Sequence, residues 1–349
     1  MKYNLFSIVF ASLLILIFCA GADGTTTSGS IKLNKTATTI KIGETETLTV
    51  VEAPVSDEPA VWSSEDANVA TVFYGVVTAV SSGITKITVT LGAHIAECVV
   101  TVPERSYELV WSDEFEGTSL NTDNWNYETG TGNWGWGNDE KQYYTNRSEN
   151  IRVENGYLII EAKKEAYSGS AYTSARITTQ NKQSFTYGKI EARLSIPSGT
   201  GTWPAFWMLG SKGGWPGCGE IDIMEHVGKE PTMLSHALHT KNQNGMNGKN
   251  WNQRTYHNDA ENTFHTFTVE WVAKNLADYA RICFYIDEKL TGTSIETLQT
   301  TGEDWPFTAP FYFILNLAIG GTWGGNIDDS MFEHPVQMKV DYVKVYQYK

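Results

Sequence analysis

The sequence predicts an all-β protein made of two β-sandwich domains, a small one followed by a larger one. Short runs of alternating apolar and polar residues recur between turn-forming residues, as is typical of antiparallel strands. After residue 22 the chain shows no long helical period. Tryptophan use also changes along the chain, because eleven of the twelve tryptophans follow residue 105. We therefore expect a boundary near residues 103–106 and a curved antiparallel jelly roll after it.

Residues 1–22 have the features of a secretory signal peptide. Lys2 provides a positive charge, an apolar run of about 14 residues follows, and Ala-Gly-Ala at residues 20–22 offers small side chains for cleavage. Such a run is short for a membrane span. Cys19 loosely matches a lipoprotein attachment site, so free secretion and an outer-membrane lipid anchor through Cys19 both stay open. Either route predicts a protein that is secreted or held in the periplasm or at the cell surface.

A linker rich in Gly, Thr and Ser occupies residues 23–30, and residues 31–104 then have the strand and turn spacing of a small β-sandwich. The predicted strands include residues 47–50, 69–72, 76–80, 87–89 and 96–102. Together with Val-Trp-Ser-Ser at residues 61–64, these segments resemble the bacterial Ig-like (group 2) domain. No catalytic cluster lies here, so a spacer role is favoured. Glycan binding through Trp62 is the alternative.

The net charge limits which ligands the protein can bind, and the cysteine spacing limits which roles the thiols can have. The net charge is −14, and no basic stripe offers a nucleic-acid-binding surface. A heavily sulfated polysaccharide would be repelled, so we expect a neutral substrate. Apart from Cys19, the cysteines are Cys98, Cys218 and Cys283, without the short spacing of a metal site or a redox pair. Buried free thiols are favoured, and a Cys218–Cys283 disulfide stays open.

Residues 219–225 concentrate three carboxylates in an otherwise apolar strand. Alternate side chains of a strand share a face, so Glu220 and Asp222 point one way and the isoleucines between them point to the core. Strict alternation would put Glu225 on the core side, where an unpaired carboxylate is unfavourable. One extra residue near Met224, a β-bulge, would return Glu225 to the carboxylate face. Paired carboxylates on one face suit retaining glycoside hydrolysis, whereas a solvated acidic strand face is the alternative.

The Glu-Ile-Asp-Ile-Met-Glu run resembles the active-site signature of glycoside hydrolase family 16, in the longer, bulged form that laminarinases, agarases and carrageenases carry. The resemblance extends over residues 107–349. It implies Glu220 as the nucleophile, Asp222 as its assistant and Glu225 as the acid/base. For residues 105–349 it implies a jelly-roll catalytic domain that acts on a β-glucan and needs no cofactor for catalysis.

Residues 133–140 interleave glycine and tryptophan, which makes a poor core strand and a loop that can present flat rings. Sugars have apolar CH faces and hydroxyl rims, so clefts that bind them combine aromatic rings with amides and acids. The resemblance to laminarinase-like members places Trp134, Trp136, Asn138 and Glu140 on the negative subsites. The alternative is a tryptophan-rich patch that fills a barrel end.

Two further strands offer candidates for the cleft. Trp203 and Trp207 share a face in strict alternation and can form a floor for sugar stacking, with a core strand as the alternative. His236 and His239 lie three residues apart and face opposite sides of a strand, and the resemblance favours His239 for the cleft. No third ligand lies at the usual spacing of a zinc site.

Three single residues complete the predicted cleft. Arg176 is expected to brace a cleft carboxylate or a sugar hydroxyl, as the family pattern indicates. Asn316 is an amide in an apolar run and needs partners, which a bound sugar can supply. Trp323 follows in a glycine-rich loop, and residues 242–253 are predicted as a polar loop that walls the cleft.

The resemblance also implies a structural calcium site on the face away from the cleft. Its ligands would be the Asp341 carboxylate and backbone oxygens near Glu116 and Gly156, and oxygen ligands suit calcium. We expect a monomeric, retaining endo-β-glucanase that acts on β-1,3-glucan or on mixed-linkage β-1,3/1,4-glucan. The alternatives are a glucan-binding protein without turnover, a transglycosylase and a galactan hydrolase on the same fold.

Overall fold

The computed structural model describes residues 30–104, 106–274, 279–297 and 302–348. By its internal contacts the chain divides into two compact units, Met1–Glu104 and Arg105–Lys349. The predicted signal peptide, Cys19 and most of the predicted linker lie outside the described residues. Within the described ranges, no helix has the length and apolar character needed to cross a membrane.

The smaller unit is a β-sandwich of short strands. Its strands are β1 (Lys32–Leu33), β2 (Ala37–Thr39), β3 (Thr45–Thr47), β4 (Val50–Glu52), β5 (Val61–Ser64), β6 (Ala70–Phe73), β7 (Val76–Ala79), β8 (Gly83–Leu91) and β9 (His94–Val102). One sheet has the order β2-β9-β8-β5, a second has the order β3-β7-β6, and β1 pairs with β4. Alternate residues of β8 and β9, among them Ile87, Val89 and Val100, are fully buried between the sheets. Trp62 packs against this core.

The predicted strand at residues 47–50 is wrong, because the chain changes sheet within it. Strand β3 ends at Thr47 and pairs with β7, whereas β4 begins at Val50 and pairs with β1. Leu48 lies between the two strands with 1% of its surface exposed, and its amide donates to the carbonyl of Gly75. An apolar side chain that enters the core at a crossover looks like a strand residue in the sequence.

The larger unit holds the remaining strands and several short helical turns. The strands are β10 (Tyr107–Asp113), β11 (Asn126–Glu128), β12 (Gln142–Tyr144), β13 (Ile151–Glu154), β14 (Tyr157–Tyr167), β15 (Ser170–Ser174), β16 (Arg176–Thr178), β17 (Gly188–Ser195), β18 (Thr202–Gly210), β19 (Glu220–Glu225), β20 (Met233–His239), β21 (Trp251–Tyr256), β22 (Phe264–Val272), β23 (Arg281–Ile286), β24 (Lys289–Ile295), β25 (Phe311–Ile319) and β26 (Val336–Tyr348). The helical turns are Gly135–Asp139, Gly245–Asn247, Gly302–Asp304, Gly321–Gly324 and Asp329–Glu333.

Two sheets form the sandwich of the larger unit. The first has the order β12-β15-β14-β26-β17-β22-β23-β24, with β10 paired to β26 and β13 paired to β14. The second has the order β11-β16-β25-β18-β19-β20-β21, so the acid strand β19 lies inside it. Phe206 and Met208 of β18 and Ile221 of β19 are fully buried in the core between the sheets. The opposite face of β18 and β19 is therefore the one that carries the polar candidates.

Two predicted segments of the larger unit need correction. The Ser-Ala-Arg-Ile run at residues 174–177 reads as one strand in the sequence, but it belongs to two strands in different sheets, because β15 ends at Ser174 and β16 begins at Arg176. The loop expected at residues 242–253 ends earlier, since Trp251 begins β21 and pairs with Leu238. The ring of Trp251 stacks on Phe284 at 5.3 Å, and this long-range packing extends the strand into a polar, asparagine-rich sequence.

Candidate active site

A β-bulge brings the three acids of β19 to one face of the sheet. Ala205 lies opposite Glu225 and Trp207 lies opposite Asp222, so β19 contains one residue more than β18 between these two pairs. The same irregularity separates the pairings of β19 with β20. The extra residue lies within Ile223–Met224, and both of these side chains are fully buried. The predicted bulge is confirmed, and it points Glu225 to the same side as Asp222.

His236 stabilises the bulge from the core side. Its Nδ1 atom lies 2.6 Å from the carbonyl oxygen of Ile223, so Nδ1 carries the donating proton. Its Nε2 atom lies 2.9 Å from Oγ1 of Thr291, and the ring stacks on Phe284 at 4.8 Å. Burial lowers the pKa of His236 to about 4, so the imidazole is neutral. The prediction that only His239 of the two histidines faces the cleft is confirmed.

Each of the three acids has a different neighbour. The indole N–H of Trp215 donates to Oε2 of Glu220 at 2.7 Å, and the indole N–H of Trp203 donates to Oε1 of Glu225 at 3.1 Å. Asp222 lies between them with 3% of its surface exposed. His239 Nε2 is 3.1 Å from Oδ2 of Asp222 and 3.7 Å from Oε1 of Glu220.

Gly245 fixes the tautomer of His239. Its backbone N–H donates to Nδ1 of His239 at 3.0 Å, so Nδ1 is an acceptor and the ring proton lies on Nε2. The ligating atoms of Glu220, Asp222 and His239 lie within 4.8 Å of one another, which is a spacing that a metal ion could use. However, the imidazole turns an N–H group and not a lone pair toward the two carboxylates. This orientation of the imidazole disfavours metal ligation, and Oδ2 of Asp222 has no hydrogen-bond partner within the described part of the chain.

Burial raises the pKa values of all three acids. For Glu220 the pKa rises to about 8, and the charge of Asp222 adds to the effect while His239 and the Trp215 hydrogen bond oppose it. Burial raises the pKa of Glu225 to about 7, with His239 again opposing. The pKa of Asp222 lies well above its ordinary value, because of burial first and the Glu225 charge second. Close acids of this kind share protons, and the cluster keeps part of its protons at neutral pH.

The tryptophan loop at residues 133–140 presents one ring to solvent and anchors the other. Trp134 and Trp136 both have left-handed backbone angles, with φ of 48° and 53°, which are uncommon for bulky residues. Trp134 is 68% exposed. Trp136 donates its indole N–H to the carbonyl of Gly130 and contacts Tyr144 at 5.5 Å. Strained backbone that exposes an aromatic ring is typical of a binding site.

Glu140 and Asn316 belong to one buried hydrogen-bond network. The side chains of Gln142 and Tyr144 donate to Oε2 of Glu140 at 2.7 and 3.0 Å. Asn316 donates to the Tyr144 hydroxyl at 3.2 Å and accepts from the indole of Trp207 at 2.7 Å. The expectation that a sugar supplies the partners of Asn316 needs correction, because protein groups already bind both ends of its amide.

Arg176 braces the network differently from the prediction. Its guanidinium lies between the indole rings of Trp136 and Trp207, at 4.6 and 5.0 Å from their centres, and its Nε donates to Glu128. Asn138 lies nearby, with its amide 3.5 Å from Glu140. The acid that Arg176 binds, Glu128 on β11, is outside the β19 cluster. Arg176 thus orients two aromatic rings and does not contact the predicted catalytic acids.

Trp323 extends the aromatic surface on the side of Glu225. It lies on the helical turn Gly321–Gly324, and its ring meets Trp203 edge to face at 5.5 Å. Arg254 lies 6.0 Å from the centre of the Trp323 ring. Trp203, which donates to Glu225, therefore connects Trp323 to the acid cluster.

Sequence reasoning missed Trp215, Tyr144, Gln142 and Glu128. Trp215 had a usable signal, since Gly-Gly-Trp-Pro-Gly at residues 213–217 repeats the glycine and tryptophan interleaving of residues 133–137. The others had none, because their roles depend on contacts with distant strands. The three cysteines of the described chain, Cys98, Cys218 and Cys283, are buried free thiols.

The carboxylate among the predicted calcium ligands is already paired. Along one edge of β26, Val340 pairs with Leu158 of β14 and Val343 pairs with Asp113 of β10, so Asp341 lies where the two strands that precede Glu116 and follow Gly156 adjoin. Oδ2 of Asp341 is 2.6 Å from Nη1 of Arg193. A cation would have to compete with this guanidinium, and the calcium site stays a prediction.

The clustered, partly to fully buried acids beside aromatic rings on one face of a β-sandwich define the cleft of a glycoside hydrolase. The sequence profile of glycosyl hydrolases family 16 matches residues 138–344, and that of the bacterial Ig-like domain (group 2) matches residues 28–100. The chain therefore belongs to glycoside hydrolase family 16, with an Ig-like domain before the catalytic domain.

Several characterised proteins are similar to the larger unit. A β-glucanase of Rhodothermus marinus is 43% identical over 254 residues, which are 69% of this chain and 86% of that protein. The crystal structure of a laminarinase from Flavobacterium sp. UMI-01 has 47% identity and a TM-score of 0.63, and covers 69% of this chain and 100% of its own. SCLam, a non-specific endo-β-1,3(4)-glucanase, has 40% identity and a TM-score of 0.64 over 70% of this chain and 92% of its own.

Proposed function

We propose that the protein hydrolyses internal bonds of β-1,3-glucan, and of mixed-linkage β-1,3/1,4-glucan, with retention of anomeric configuration. The observation that carries this proposal is the bulge in β19, which puts Glu225 on the same face as Glu220 and Asp222. Retaining hydrolysis needs two carboxyl groups close together on one side of the bond that is cut. His239 acts on the pKa values of both Glu220 and Glu225, in keeping with such proximity.

The two glutamates would act in turn. Glu225 gives its proton to the leaving glycosidic oxygen while Glu220 attacks the anomeric carbon, and a glycosyl-enzyme ester forms. Water then attacks the same carbon, gives its proton to Glu225 and releases Glu220. A pKa near 7 suits Glu225, because the group must hold a proton in the first step and accept one in the second. Asp222, buried between them, keeps a proton that can be shared with Glu220.

The aromatic rings support a neutral glucan as the substrate. Trp134 is largely exposed on the loop at residues 133–140, which pairs with Gly320 beside the turn that carries Trp323, and Trp323 meets Trp203. Several rings beside the acids suit a substrate that extends over more than one sugar, as a polymer does. The net charge of −14 disfavours a polyanionic galactan. The relatives named as a laminarinase and a β-glucanase support the same substrate class.

A glucan-binding protein without turnover is the second candidate. It would need the aromatic rings but not three clustered acids with raised pKa values, because withdrawing carboxylates from water in a cluster is unfavourable without a catalytic use. A transglycosylase would need the same acids and would differ in the acceptor that resolves the glycosyl-enzyme.

The proposal is tested by digesting laminarin, barley mixed-linkage glucan and agarose in parallel and resolving the products by chromatography. We expect rapid release of oligosaccharides from laminarin, and proton NMR of the first products should show the β-anomer. The E220Q variant should bind laminarin without cutting it. Substantial turnover by E220Q, or an initial α-anomer, would contradict the mechanism, and products longer than the substrate would indicate transglycosylation.

We also propose export of the protein and a monomeric state, on the basis of residues 1–22 and of the separate cores of the two units. Mass spectrometry of the mature protein would distinguish a free amino terminus after residue 22 from a lipid-modified Cys19. Light scattering after size-exclusion chromatography would give the oligomeric state.

A further inference from the structure

Trp215 contacts the proposed nucleophile directly, and the mechanism above gives it no role. It lies in the loop that joins β18 to β19, and 42% of its surface is exposed. Its indole N–H donates to Oε2 of Glu220 at 2.7 Å. The ring centre is 6.4 Å from that of His239, with the planes at 44°. Because Trp215 is half-exposed and its indole N–H binds Glu220, its position indicates a role beyond packing.

The loop backbone holds Trp215 in this position. The amide of Cys218 donates to the carbonyl of Gly214 at 3.1 Å, and the amide of Gly219 donates to Pro216 at 3.2 Å. Gly219 has φ of +83°, and a Cβ atom there would lie 2.7 Å from the ring of Pro306. Glycine therefore lets the loop pack closely against residue 306 just before the acid strand. The position of the indole is set by the fold and does not depend on a bound sugar.

The surroundings of Glu220 make this hydrogen bond important. Five titratable groups interact electrostatically with Glu220: Asp222, Glu225, His239, Cys218 and Tyr312. Burial disfavours the ionised form of Glu220, as does the charge of Asp222. His239 turns its Nε2–H toward Glu220 and so favours the ionised form, but at 3.7 Å it is beyond hydrogen-bonding distance. The indole N–H is a neutral donor that binds the carboxylate directly.

We propose that Trp215 is a positioning residue for the nucleophile: its indole N–H fixes Oε2 of Glu220 and leaves Oε1 free to attack the anomeric carbon. The inference rests on the retaining mechanism proposed above. As the bond between Oε1 and the anomeric carbon forms, the bond to the leaving oxygen breaks and that oxygen takes the proton of Glu225. The hydrogen bond at Oε2 keeps the carboxylate from rotating during this step and lowers its pKa.

The experiment compares the W215F and W134F variants with the wild type on laminarin over a range of pH. Phe at position 215 keeps an aromatic ring and removes the N–H donor. We expect W215F to move the acidic limb of the kcat/KM profile upward by about one pH unit and to lower kcat by about tenfold to a hundredfold. W134F removes part of an exposed ring without a contact to the acids, so it should raise KM and leave the acidic limb in place.

The E220Q variant separates failure of this inference from failure of the proposed function. If E220Q is inactive and W215F keeps the wild-type acidic limb, Trp215 is not a positioning residue although the mechanism stands. If E220Q is active, the nucleophile itself is misassigned and the inference falls with it.

A second measurement keeps the test valid if W215F does not fold. In wild-type protein with nitrogen-15-labelled tryptophan, the indole N–H signal of Trp215 should shift with pH at the midpoint of the acidic limb. The E220Q variant should abolish that titration. A signal that stays constant through the pH range in which activity appears would overturn the proposal.

Discussion

At the scale of single residues, the chemistry depends on which acid keeps a proton. Asp222 is buried and Glu220 and Glu225 are partly buried, and this burial raises the pKa of all three. The donors around them are not equal, because Trp215 binds Glu220 and Trp203 binds Glu225, while His239 turns its Nε2–H toward Asp222. These neighbours give three similar side chains three different environments, which is how one strand can supply a nucleophile and an acid.

The residue-scale prediction concerns Glu225. We expect E225Q to lower kcat/KM for laminarin by about a hundredfold to ten-thousandfold, because the leaving oxygen then receives no proton. An aryl laminaribioside with a dinitrophenyl leaving group needs no proton and should lose much less in its first step. Burst kinetics on this substrate would measure the first step separately.

The pH dependence of Glu225 follows from the direction of its pKa shift. The basic limb of the wild-type rate should lie at higher pH than the ordinary pKa of a glutamate, because the raised pKa keeps Glu225 protonated to higher pH. The E225Q variant should lose this limb with the aryl substrate. Equal losses on laminarin and on the aryl substrate would show that Glu225 is not the acid.

At the scale of elements, the bulge in β19 depends on a residue outside the cleft. His236 on β20 donates from Nδ1 to the carbonyl of Ile223, which the bulge takes out of regular pairing. The bulge is therefore supported by the neighbouring strand as well as by its own sequence. The orientation of Glu225 follows from this support, since Glu225 comes two residues after Ile223.

We predict that removing the His236 donor harms both stability and activity. H236L leaves the Ile223 carbonyl unsatisfied in the core, which should lower the free energy of unfolding by about 1–3 kcal/mol and reduce kcat. H236N places an amide N–H near the position of Nδ1 and should recover part of both losses. Urea unfolding and laminarin kinetics would measure the effects. Equal behaviour of H236L and H236N would contradict the role of the donor.

His236 also predicts a pH-dependent difference in stability. Its folded pKa is lowered to about 4, so the unfolded chain binds the extra proton first as pH falls below about 6.5. The His236 contribution is therefore present above that pH and is lost between about pH 6.5 and 4. The buried acids have raised pKa values and act in the opposite direction. Comparing wild type with H236N across this range isolates the histidine, and parallel curves would refute its contribution.

The calcium prediction belongs to strand β26 and the two segments beside it. If calcium binds there, it should raise the Tm of the wild type after treatment with a chelator, because a ligand of the folded state stabilises it. D341N should abolish the calcium effect, since it removes the charged ligand, and R193Q should strengthen calcium binding by freeing the carboxylate. A wild-type Tm that is insensitive to calcium would show that the Arg193–Asp341 pair replaces the ion.

At the scale of the whole molecule, the two units have separate hydrophobic cores. Among the residues that the structure describes, the core around Ile87 and Val100 contains none from the larger unit, and the core around Phe206 and Ile221 contains none from the smaller one. We therefore predict that residues 105–349 alone fold and cut soluble laminarin with the kcat/KM of the full chain. Circular dichroism and kinetics would test this. If residues 105–349 alone lost activity only on insoluble glucan, the Ig-like unit would have a role in binding that substrate.

The sequence was most informative where local periodicity determines the structure. The alternation in β18 and β19 predicted the face of Trp203 and Trp207, and the awkward position of Glu225 predicted the bulge, because a strand turns successive side chains to opposite faces. The sequence was least informative where the chain passes from one sheet to the other. Leu48 and Ala175 continue an apolar pattern while the backbone changes its partner strand, and nothing local marks that change.

The sequence by itself determined the fold class, the order of the three acids and the aromatic character of the cleft, since these follow from composition and short-range spacing. Only the tertiary structure decided which side chains contact and orient the predicted site residues. Glu128 binds Arg176, Tyr144 joins Glu140 to Asn316, Arg193 pairs with Asp341, and Trp215 folds back onto Glu220. Such contacts join strands and loops whose proximity depends on sheet order and loop packing, and no spacing along the chain contains that information.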